Sequence, residues 1–452
     1  DIVAHGWIAP FAVAAMAGGV ALFWGAAMVA YRLTGATGVA RVAVFAGVFA
    51  AFEWLRGHVL TGFPWNLPGE TWRAGSAMSQ SVALFGAYGL TWLTIWLAAS
   101  VPLWREGRPG RIALGGAAAT AVLLFAWGAA RTSGTMPAAS EAGDLRVRIV
   151  QADIKQAAKY DPAHFRRIVD AYTGLPARPY PGRPADIVVW PEGAIPAAVN
   201  DYLAPGTWTR EAIEASLRPG QTLLVGAYRY EGTPADTRYY NTLVAVGRTP
   251  EGLEPLGVYD KHRLVPFGEF LPMEGLLTAI GFKALVHAPE SFAPGGPPRP
   301  MQAAGLPPFQ PLICYESLFP GFTRQGAALS GLRPGFIVNV SNDAWFGRTS
   351  GPLQHLNLAS YRAIEEGLPM LRATPTGVSA VITPLGQVEA GSLRLGDTGV
   401  IDADLRPRQL STLYSRHGDL PFIALLMISA ALILRIRVVQ ALKRRQNGVM
   451  GG

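Results

Sequence analysis

The sequence is poor in charge and in cysteine, and each shortage excludes a class of protein. Only 15% of the 452 residues are charged and 50% are hydrophobic, whereas a soluble protein usually carries about 25% charge. This composition argues against an ordinary water-soluble enzyme. Cys314 is the one cysteine, so no internal disulfide and no cysteine cluster for zinc can form. The histidines show no metal-binding spacing, and we expect neither a metal nor a cofactor.

The basic residues are scattered and do not form one long stripe. The chain has a formal net charge of +8, and arginine supplies most of it because lysine is scarce. Many of these residues flank apolar runs, where positive charge marks the cytoplasmic side of a membrane. Nucleic acid is therefore not an expected partner.

Five apolar runs predict membrane-spanning helices, at 8–31, 42–60, 78–103, 112–130 and 420–434. The first holds 24 residues without a charge, which is long enough to cross a hydrocarbon core of about 30 Å. The second contains Glu53 and Arg56 near its end, so it either spans with a polar terminus or is partly buried in a bundle. We predict a helix bundle over 1–130 and a C-terminal transmembrane helix over 420–438.

The loop charges give an orientation. Arginines crowd the connection after the first run and the one after the third, and a basic tail follows the fifth. These three segments are expected in the cytoplasm, which places 61–77 and 131–419 on the other side of the membrane. Because the chain begins at Asp1 without Met, we expect an odd number of helices before it.

A different pattern, of strands and amphipathic helices with turn-rich links, predicts an α/β domain over 143–410. Predicted strands lie at 145–152, 186–190, 222–227, 242–246, 311–314, 336–341 and 379–383, and predicted helices at 163–172, 209–217 and 354–366. The apolar stretch 273–288 follows no strand period. We expect it either to dip into the membrane interface or to pack on its own domain.

Three chemically capable side chains follow predicted strand ends in this domain. Glu192 follows the apolar run 187–191, Lys261 follows 258–260, and Cys314 ends the run 311–314. Residues at the carboxyl ends of strands converge on a crevice. A carboxylate base, an ammonium and a thiol are the parts of a covalent acyl-transfer site.

Each of these residues also has a simpler explanation. Cys314 could be a small core residue, Glu192 a helix cap or a solvated turn residue, and Lys261 one arm of a surface ion pair. The three together, in this order and with their flanking residues, are far more specific than any one of them.

Several motifs resemble the carbon–nitrogen hydrolase, or nitrilase, superfamily. They are WPE at 190–192, YDKHRLVPFGEF at 259–270 and ICYE at 313–316. With the flanking membrane helices, the arrangement resembles the apolipoprotein N-acyltransferase family. Further matches are LTGFPW at 60–65, VQADI at 150–154, SNDAWFG at 341–347, and Arg372 ahead of Gly377.

The resemblance implies an α+β protein: a polytopic helix bundle that carries a nitrilase-like αββα sandwich on the periplasmic side of the bacterial inner membrane. It implies Glu192 as general base, Cys314 as nucleophile and Lys261 as oxyanion stabiliser, the last helped by the backbone N–H of Tyr315. Glu269 would orient the lysine, and Tyr315 and Glu316 would support the site. Candidate substrate-binding residues are Trp65, Tyr160 and Trp345, and both Tyr160 and the pair Pro375-Thr376 depart from the family pattern.

The implied reaction is a ping-pong acyl transfer by a monomer. A phospholipid, expected to be phosphatidylethanolamine, acylates Cys314, and the acceptor is the α-amine of a diacylglyceryl-cysteine at an apolipoprotein N-terminus. Two alternatives stay open: a membrane-tethered amidase or nitrilase that uses the same triad on a small amide, and a non-catalytic lipoprotein-binding scaffold.

Overall fold

The computed structural model describes residues 9–134, 144–159, 161–272, 291–389, 391–407 and 410–450. Two compact units divide the chain. The first comprises Asp1–Gly134 and Thr412–Gly452, and the second comprises Thr135–Ser411. Tyr160 and the stretch 273–288, which the sequence singles out, lie outside the described residues.

The α-helices, in chain order, are α1 Ala9–Thr34, α2 Ala40–His58, α3 Val82–Ser100, α4 Gly107–Ser133, α5 Gln156–Lys159, α6 Phe165–Gly174, α7 Val199–Tyr202, α8 Trp208–Ser216, α9 Phe322–Ser330, α10 Gly351–Glu366, α11 Leu413–His417 and α12 Leu420–Met450. Four stretches of the described chain are long and apolar enough to cross a membrane: Ala9–Thr34, Met78–Arg105, Gly107–Ser133 and Leu420–Leu442. The protein is therefore a membrane protein with an apolar helix bundle.

Helix α2, predicted as the second apolar run, is not among these four stretches. It is 19 residues long, and its buried face carries the ion pair of Glu53 and Arg56. Trp24 Nε1 of α1 donates to Glu53 Oε1 at 2.6 Å, and Arg56 Nη1 donates to the carbonyl oxygen of Trp65 at 3.1 Å. The charges are thus satisfied inside the bundle, which agrees with the second of the two sequence-based interpretations of this helix.

The second unit contains two sheets. Their strands are β1 Leu145–Gln151, β2 Ile187–Trp190, β3 Thr222–Thr233, β4 Asp236–Thr249, β5 Gly252–Asp260, β6 Phe309–Ile313, β7 Phe336–Val340, β8 Met370–Ala373, β9 Ala380–Ile382 and β10 Gly399–Leu405. The larger sheet has the order β10-β1-β2-β3-β4-β5, with β1, β2 and β3 parallel and the remaining pairs antiparallel. The smaller sheet has the order β6-β7-β8-β9, and only β9 is antiparallel to its neighbour.

Alternation along the strands creates the layers of an αββα sandwich. Ile187 and Val189 of β2 point into one buried cluster with Phe309 and Ile313 of β6, so the two sheets pack face to face. Val188 and Trp190 point the other way and pack among side chains of α6 and α8. Successive strand residues face opposite sides of a sheet, so both faces of the larger sheet are buried.

All seven predicted strands are confirmed, while β5 is predicted only by its end at 258–260, and β8 and β10 are missed by the sequence. β8 has four residues and carries the fully buried Arg372, whose charge hides the apolar pattern. β10 is an edge strand in which Asp402 and Asp404 alternate with apolar residues. Short strands and edge strands with charged side chains give a weak sequence signal.

Candidate active site

Cys314 lies directly after β6, at the first position of a 3₁₀ helix, Cys314–Leu318. Its backbone φ is 48°, in the left-handed region that residues with a Cβ rarely adopt. Such a conformation costs roughly 1–3 kcal/mol and persists only where the surrounding structure enforces it. The half-buried thiol is therefore held in a fixed direction by a sharp turn between strand and helix.

Glu192 lies two residues beyond β2 and is buried. Its Oε1 accepts a hydrogen bond from Asn241 Nδ2 at 2.7 Å, and Lys261 Nζ lies 3.4 Å from the same oxygen. Oε2 is buried and has no hydrogen-bond partner among the described residues, and the nearby Cys314 thiol helps to lower the pKa of this carboxylate. Glu192 is therefore neither a helix cap nor a solvated turn residue, and it has a free lone pair for the thiol proton.

Lys261 follows β5 and is 1% exposed. Its Nζ lies 2.9 Å from Glu269 Oε1 in addition to its contact with Glu192. The neighbouring Asp260 is paired with Arg229, at 2.7 and 2.6 Å. A surface ion pair of Lys261 with Asp260 is thus excluded, and the ammonium lies inside the cluster that contains the thiol.

Glu269 contacts Lys261 and is itself held at both carboxylate oxygens. Besides Lys261, its Oε1 accepts from Asn241 Nδ2 at 2.6 Å, and its Oε2 accepts from the backbone N–H of Val265 at 2.8 Å. Asn241 thereby connects the two carboxylates that flank the ammonium. With both oxygens of Glu269 engaged, Lys261 has one preferred position.

The pKa values of the cluster follow from burial and from its charges. Burial alone would raise the pKa of Glu192, but the charge of Lys261 and the hydrogen bond from Asn241 hold it below its usual value. Burial would lower the pKa of Lys261, but Glu269 and Glu192 raise it well above its usual value. Burial, followed by the charge of Glu192, raises the pKa of Cys314 to about 12. The resting site therefore holds a carboxylate, an ammonium and a neutral thiol, and the thiol needs a base in order to react.

Glu316 connects the turn at Cys314 to the segment that follows Lys261. Its Oε1 accepts from the backbone N–H of His262 at 2.7 Å and from Tyr259 Oη at 2.8 Å, and its Oε2 accepts from the backbone N–H of Ile313 at 2.8 Å. Burial raises the pKa of Glu316 to about 7. Tyr315 is buried and packs edge-on against Phe319, with ring centroids 5.1 Å apart.

The three candidate substrate-binding residues have different surroundings. Trp345 lies in the 3₁₀ helix Asp343–Phe346 that follows β7, and 65% of it is exposed. Trp65 belongs to the helix-bundle unit, where Arg56 holds its carbonyl oxygen. Tyr160 lies outside the described residues. Substrate binding by all three stays a prediction.

Sequence reasoning did not identify several other residues of the cluster. Asn241 looks like an ordinary polar residue at the start of an apolar strand, and only its bonds to Glu192 and Glu269 reveal its part. Lys159 Nζ lies 3.4 Å from the carbonyl oxygen of Glu192, and burial lowers the pKa of Lys159 to about 8. Within the described ranges, no three His, Cys, Asp or Glu side chains are grouped as a metal site requires.

Two family models match the chain. Residues 146–413 match the carbon-nitrogen hydrolase model, and residues 2–100 match the model of the apolipoprotein N-acyltransferase N-terminal domain. The first match covers the unit that holds Glu192, Lys261 and Cys314, and the second covers α1 to α3.

Curated relatives extend over almost the whole chain. The apolipoprotein N-acyltransferase of Caulobacter vibrioides is 56% identical over 439 residues, which is 97% of this chain and 81% of that protein. The enzyme of the same name from Bradyrhizobium diazoefficiens is 37% identical over 97% of this chain and 82% of that protein. Among solved structures, a mutant amidase of the nitrilase superfamily from Nesterenkonia is 22% identical and covers 64% of this chain and all of that one. The TM-score of this match is 0.41.

Proposed function

Because the chain belongs to the apolipoprotein N-acyltransferase family, we propose that it N-acylates lipoproteins through a thioester on Cys314. The acyl donor is a phospholipid, in our proposal phosphatidylethanolamine. The acceptor is the α-amine of the diacylglyceryl-cysteine at an apolipoprotein N-terminus. The observation that carries this proposal is the placement of Glu192, with one oxygen held by Asn241 and Lys261 and the other left for the Cys314 thiol.

In the first half-reaction, the Glu192 carboxylate takes the proton of the Cys314 thiol as sulfur attacks the ester carbonyl carbon. The carbonyl oxygen becomes an oxyanion. Lys261 supplies positive charge to it, since two of its three N–H groups already have acceptors among the described residues and the third is available. The ester C–O bond then breaks, Glu192 returns the proton to the leaving alkoxide, and a lysophospholipid departs from the thioester.

In the second half-reaction, the acceptor amine attacks the thioester carbonyl. Glu192, ionised again, takes a proton from the amine nitrogen, and Lys261 stabilises the second oxyanion. The C–S bond breaks, and the proton on Glu192 passes to the departing sulfur. The products are the amide and the free thiol of Cys314, so the enzyme returns to its starting state.

The contacts inside the bundle support our proposal on orientation. Arg41 Nη1 at the start of α2 donates to Glu106 Oε2 before α4 at 2.7 Å, and Arg437 of α12 donates to the carbonyl oxygen of Leu33 in α1 at 3.3 Å. The ends of these helices that carry positive charge are thus joined to one another. We propose that they face the cytoplasm of the bacterial inner membrane, with the catalytic unit on the periplasmic side.

We further propose that 1–130 and 420–438 form the transmembrane part of a monomeric enzyme and that 143–410 form its catalytic domain. Both substrates carry acyl chains, so each would reach the thiol from the bilayer and not from bulk water. A small amide needs no such route. This difference favours the acyltransferase over a membrane-tethered amidase.

The test is acyl transfer by the purified full chain in detergent or in vesicles of phosphatidylethanolamine. The acceptor is a diacylglyceryl-cysteine peptide, and its mass is followed with time. We expect the peptide to gain one acyl chain, and we expect an N-acetylated control peptide, which lacks the free amine, to gain none. Release of free fatty acid without a peptide product would support a hydrolase, and no product of either kind would support the scaffold.

A further inference from the structure

The SNDAWFG motif and Arg372 take no part in the mechanism above, yet the structure brings them together behind Cys314. Ser341 and Asp343 follow β7, Arg372 lies in β8, and His355 lies in α10. All four side chains are at most 1% exposed. A group of buried polar side chains is stable only when its members satisfy one another, so their contacts define what they do.

Asp343 is the centre of this group. Arg372 Nη2 donates to its Oδ2 at 2.7 Å, while its Oδ1 accepts from Ser341 Oγ at 2.8 Å and faces His355 Nδ1 at 2.8 Å. Burial would raise the pKa of Asp343, but Arg372 and His355 hold it well below its usual value. Asp343 is therefore ionised, and a proton must lie on His355 Nδ1.

The other nitrogen of His355 reaches the nucleophile's backbone. Nε2 lies 3.3 Å from the carbonyl oxygen of Cys314 and 3.0 Å from Ser317 Oγ. Ser317 Oγ itself donates to the same carbonyl oxygen at 2.8 Å. Nε2 therefore contacts the carbonyl oxygen of Cys314 directly and also contacts Ser317, which bonds to the same oxygen.

We propose that His355, oriented by Asp343 and Arg372, is a positioning residue that fixes the strained turn at Cys314 through the carbonyl oxygen of the nucleophile. The side chain of Cys314 sits on a backbone with φ of 48°, and that conformation needs an external constraint. The hydrogen bond from Ser317 Oγ and the contact of His355 Nε2, both at this carbonyl oxygen, supply the constraint. The chain of contacts runs from Arg372 through Asp343 and His355 to Cys314.

The same group also acts on the thiol side. Ser341 hydrogen-bonds to the Cys314 thiol, and the negative charge of Asp343 disfavours the thiolate. The charge of Arg372 offsets that of Asp343, so an ionised Asp343 can orient His355 without suppressing the nucleophile. The part assigned to His355 rests on Cys314 as the reacting group in the proposed function, but its effect on the thiol can be measured without substrate.

The experiment compares His355→Leu and His355→Gln in the full-length protein. The first readout is the rate of Cys314 alkylation by iodoacetamide without lipid, and the second is kcat and KM for acyl transfer. We expect His355→Leu to lower the alkylation rate and kcat by on the order of 10- to 100-fold with KM unchanged, because the thiol is misplaced while lipid binding is not. His355→Gln keeps one donor and should recover part of the loss.

A matched control separates positioning from stability. Asp402→Asn breaks the buried ion pair with Arg148 in the same unit, whose distances are 2.8 Å, and leaves the network around His355 intact. Wild-type alkylation in a folded His355→Leu, or equal slowing in Asp402→Asn, would overturn the proposal. If His355→Leu does not fold, Ser317→Ala and His355→Gln replace it, and wild-type alkylation in both would overturn it equally. The variants could also be alkylated slowly while the enzyme never forms an acyl-cysteine. That result would refute the proposed function and leave the positioning role standing.

Discussion

Gly226 on β3 approaches the backbone of Glu192 so closely that a single methyl group should displace the proposed base. A Cβ at this position would lie 2.5 Å from Glu192 Cα and 2.6 Å from the carbonyl oxygen of Pro191. Both are backbone atoms, so no side chain can rotate away. To restore an ordinary contact of 3.4 Å, the backbone at Glu192 must withdraw by about 0.9 Å.

A shift of that size should mainly lower the rate of the chemical step, the acylation of Cys314. Misplacing a reacting group by about 1 Å costs roughly 100-fold in rate. We therefore expect Gly226→Ala to lower the single-turnover rate of Cys314 acylation by on the order of 100-fold. The rate is measured from the intact mass of the protein after rapid mixing with phosphatidylethanolamine.

Gly247→Ala is the matched control, since Gly247 lies on the adjacent strand β4 of the same sheet. There the three atoms nearest to the added Cβ all belong to the side chain of Leu256, at 3.2 to 3.4 Å, and a leucine side chain can adjust. The control should acylate at nearly the wild-type rate. If a folded Gly226→Ala also acylates at the wild-type rate, the close placement of Glu192 is not needed and its role as general base is wrong.

Three further predictions concern the charges of the protein. Glu269→Gln removes the nearer charged partner of Lys261, whose attraction is about 6 kcal/mol at 2.9 Å for an effective dielectric constant of about 20. The acylation rate should fall on the order of 100-fold, and a loss smaller than about threefold would show that Glu269 does not orient the lysine. The pKa of Glu192 is lowered and that of Lys261 is raised, so this pair stabilises the folded protein fully between pH 4.5 and pH 10.5. The stabilisation is lost as the pH falls through the folded-state pKa of Glu192, and it is also lost as the pH rises through the folded-state pKa of Lys261. The acylation rate is measured between about pH 8 and about pH 5.5, and a drop of more than tenfold caused by protonation of Glu192 would contradict this reasoning. In the bundle, Glu53→Gln leaves the charge of Arg56 buried without its partner and should destabilise the protein by about 3–5 kcal/mol. The measurement is the unfolding temperature in detergent, which should fall. An unchanged temperature would show that the ion pair contributes nothing to stability.

The sequence locates the three candidate catalytic residues because the predicted strands and their ends are visible in it. Glu192, Lys261 and Cys314 each lie at or just beyond a predicted strand end, and residues at strand ends converge. Which residues hold the triad in place depends on pairings between distant strands. Asn241 bonds to Glu192 and Glu269, which lie 49 and 28 positions away, and no local pattern shows such bonds.

The buried polar group around Asp343 and His355 shows a second limit of prediction from the sequence. The motif around Asp343 and the position of Arg372 are visible as matches to a family, but a match gives no contact. His355 is a lone histidine on a helix, and without metal spacing its sequence context indicates no role. Only the fold brings its ring between Asp343 and the carbonyl oxygen of Cys314.

The central claim is that Cys314 carries the acyl chain as a thioester whose formation depends on Glu192. The most direct test is the intact mass of the wild-type protein, Cys314→Ala and Glu192→Gln after incubation with phosphatidylethanolamine and without acceptor. We predict a gain of one acyl chain in the wild type, with one lysophospholipid released per adduct, and no gain in either variant. The same gain in Cys314→Ala, or product formation by a wild type that never carries an adduct, would contradict the account.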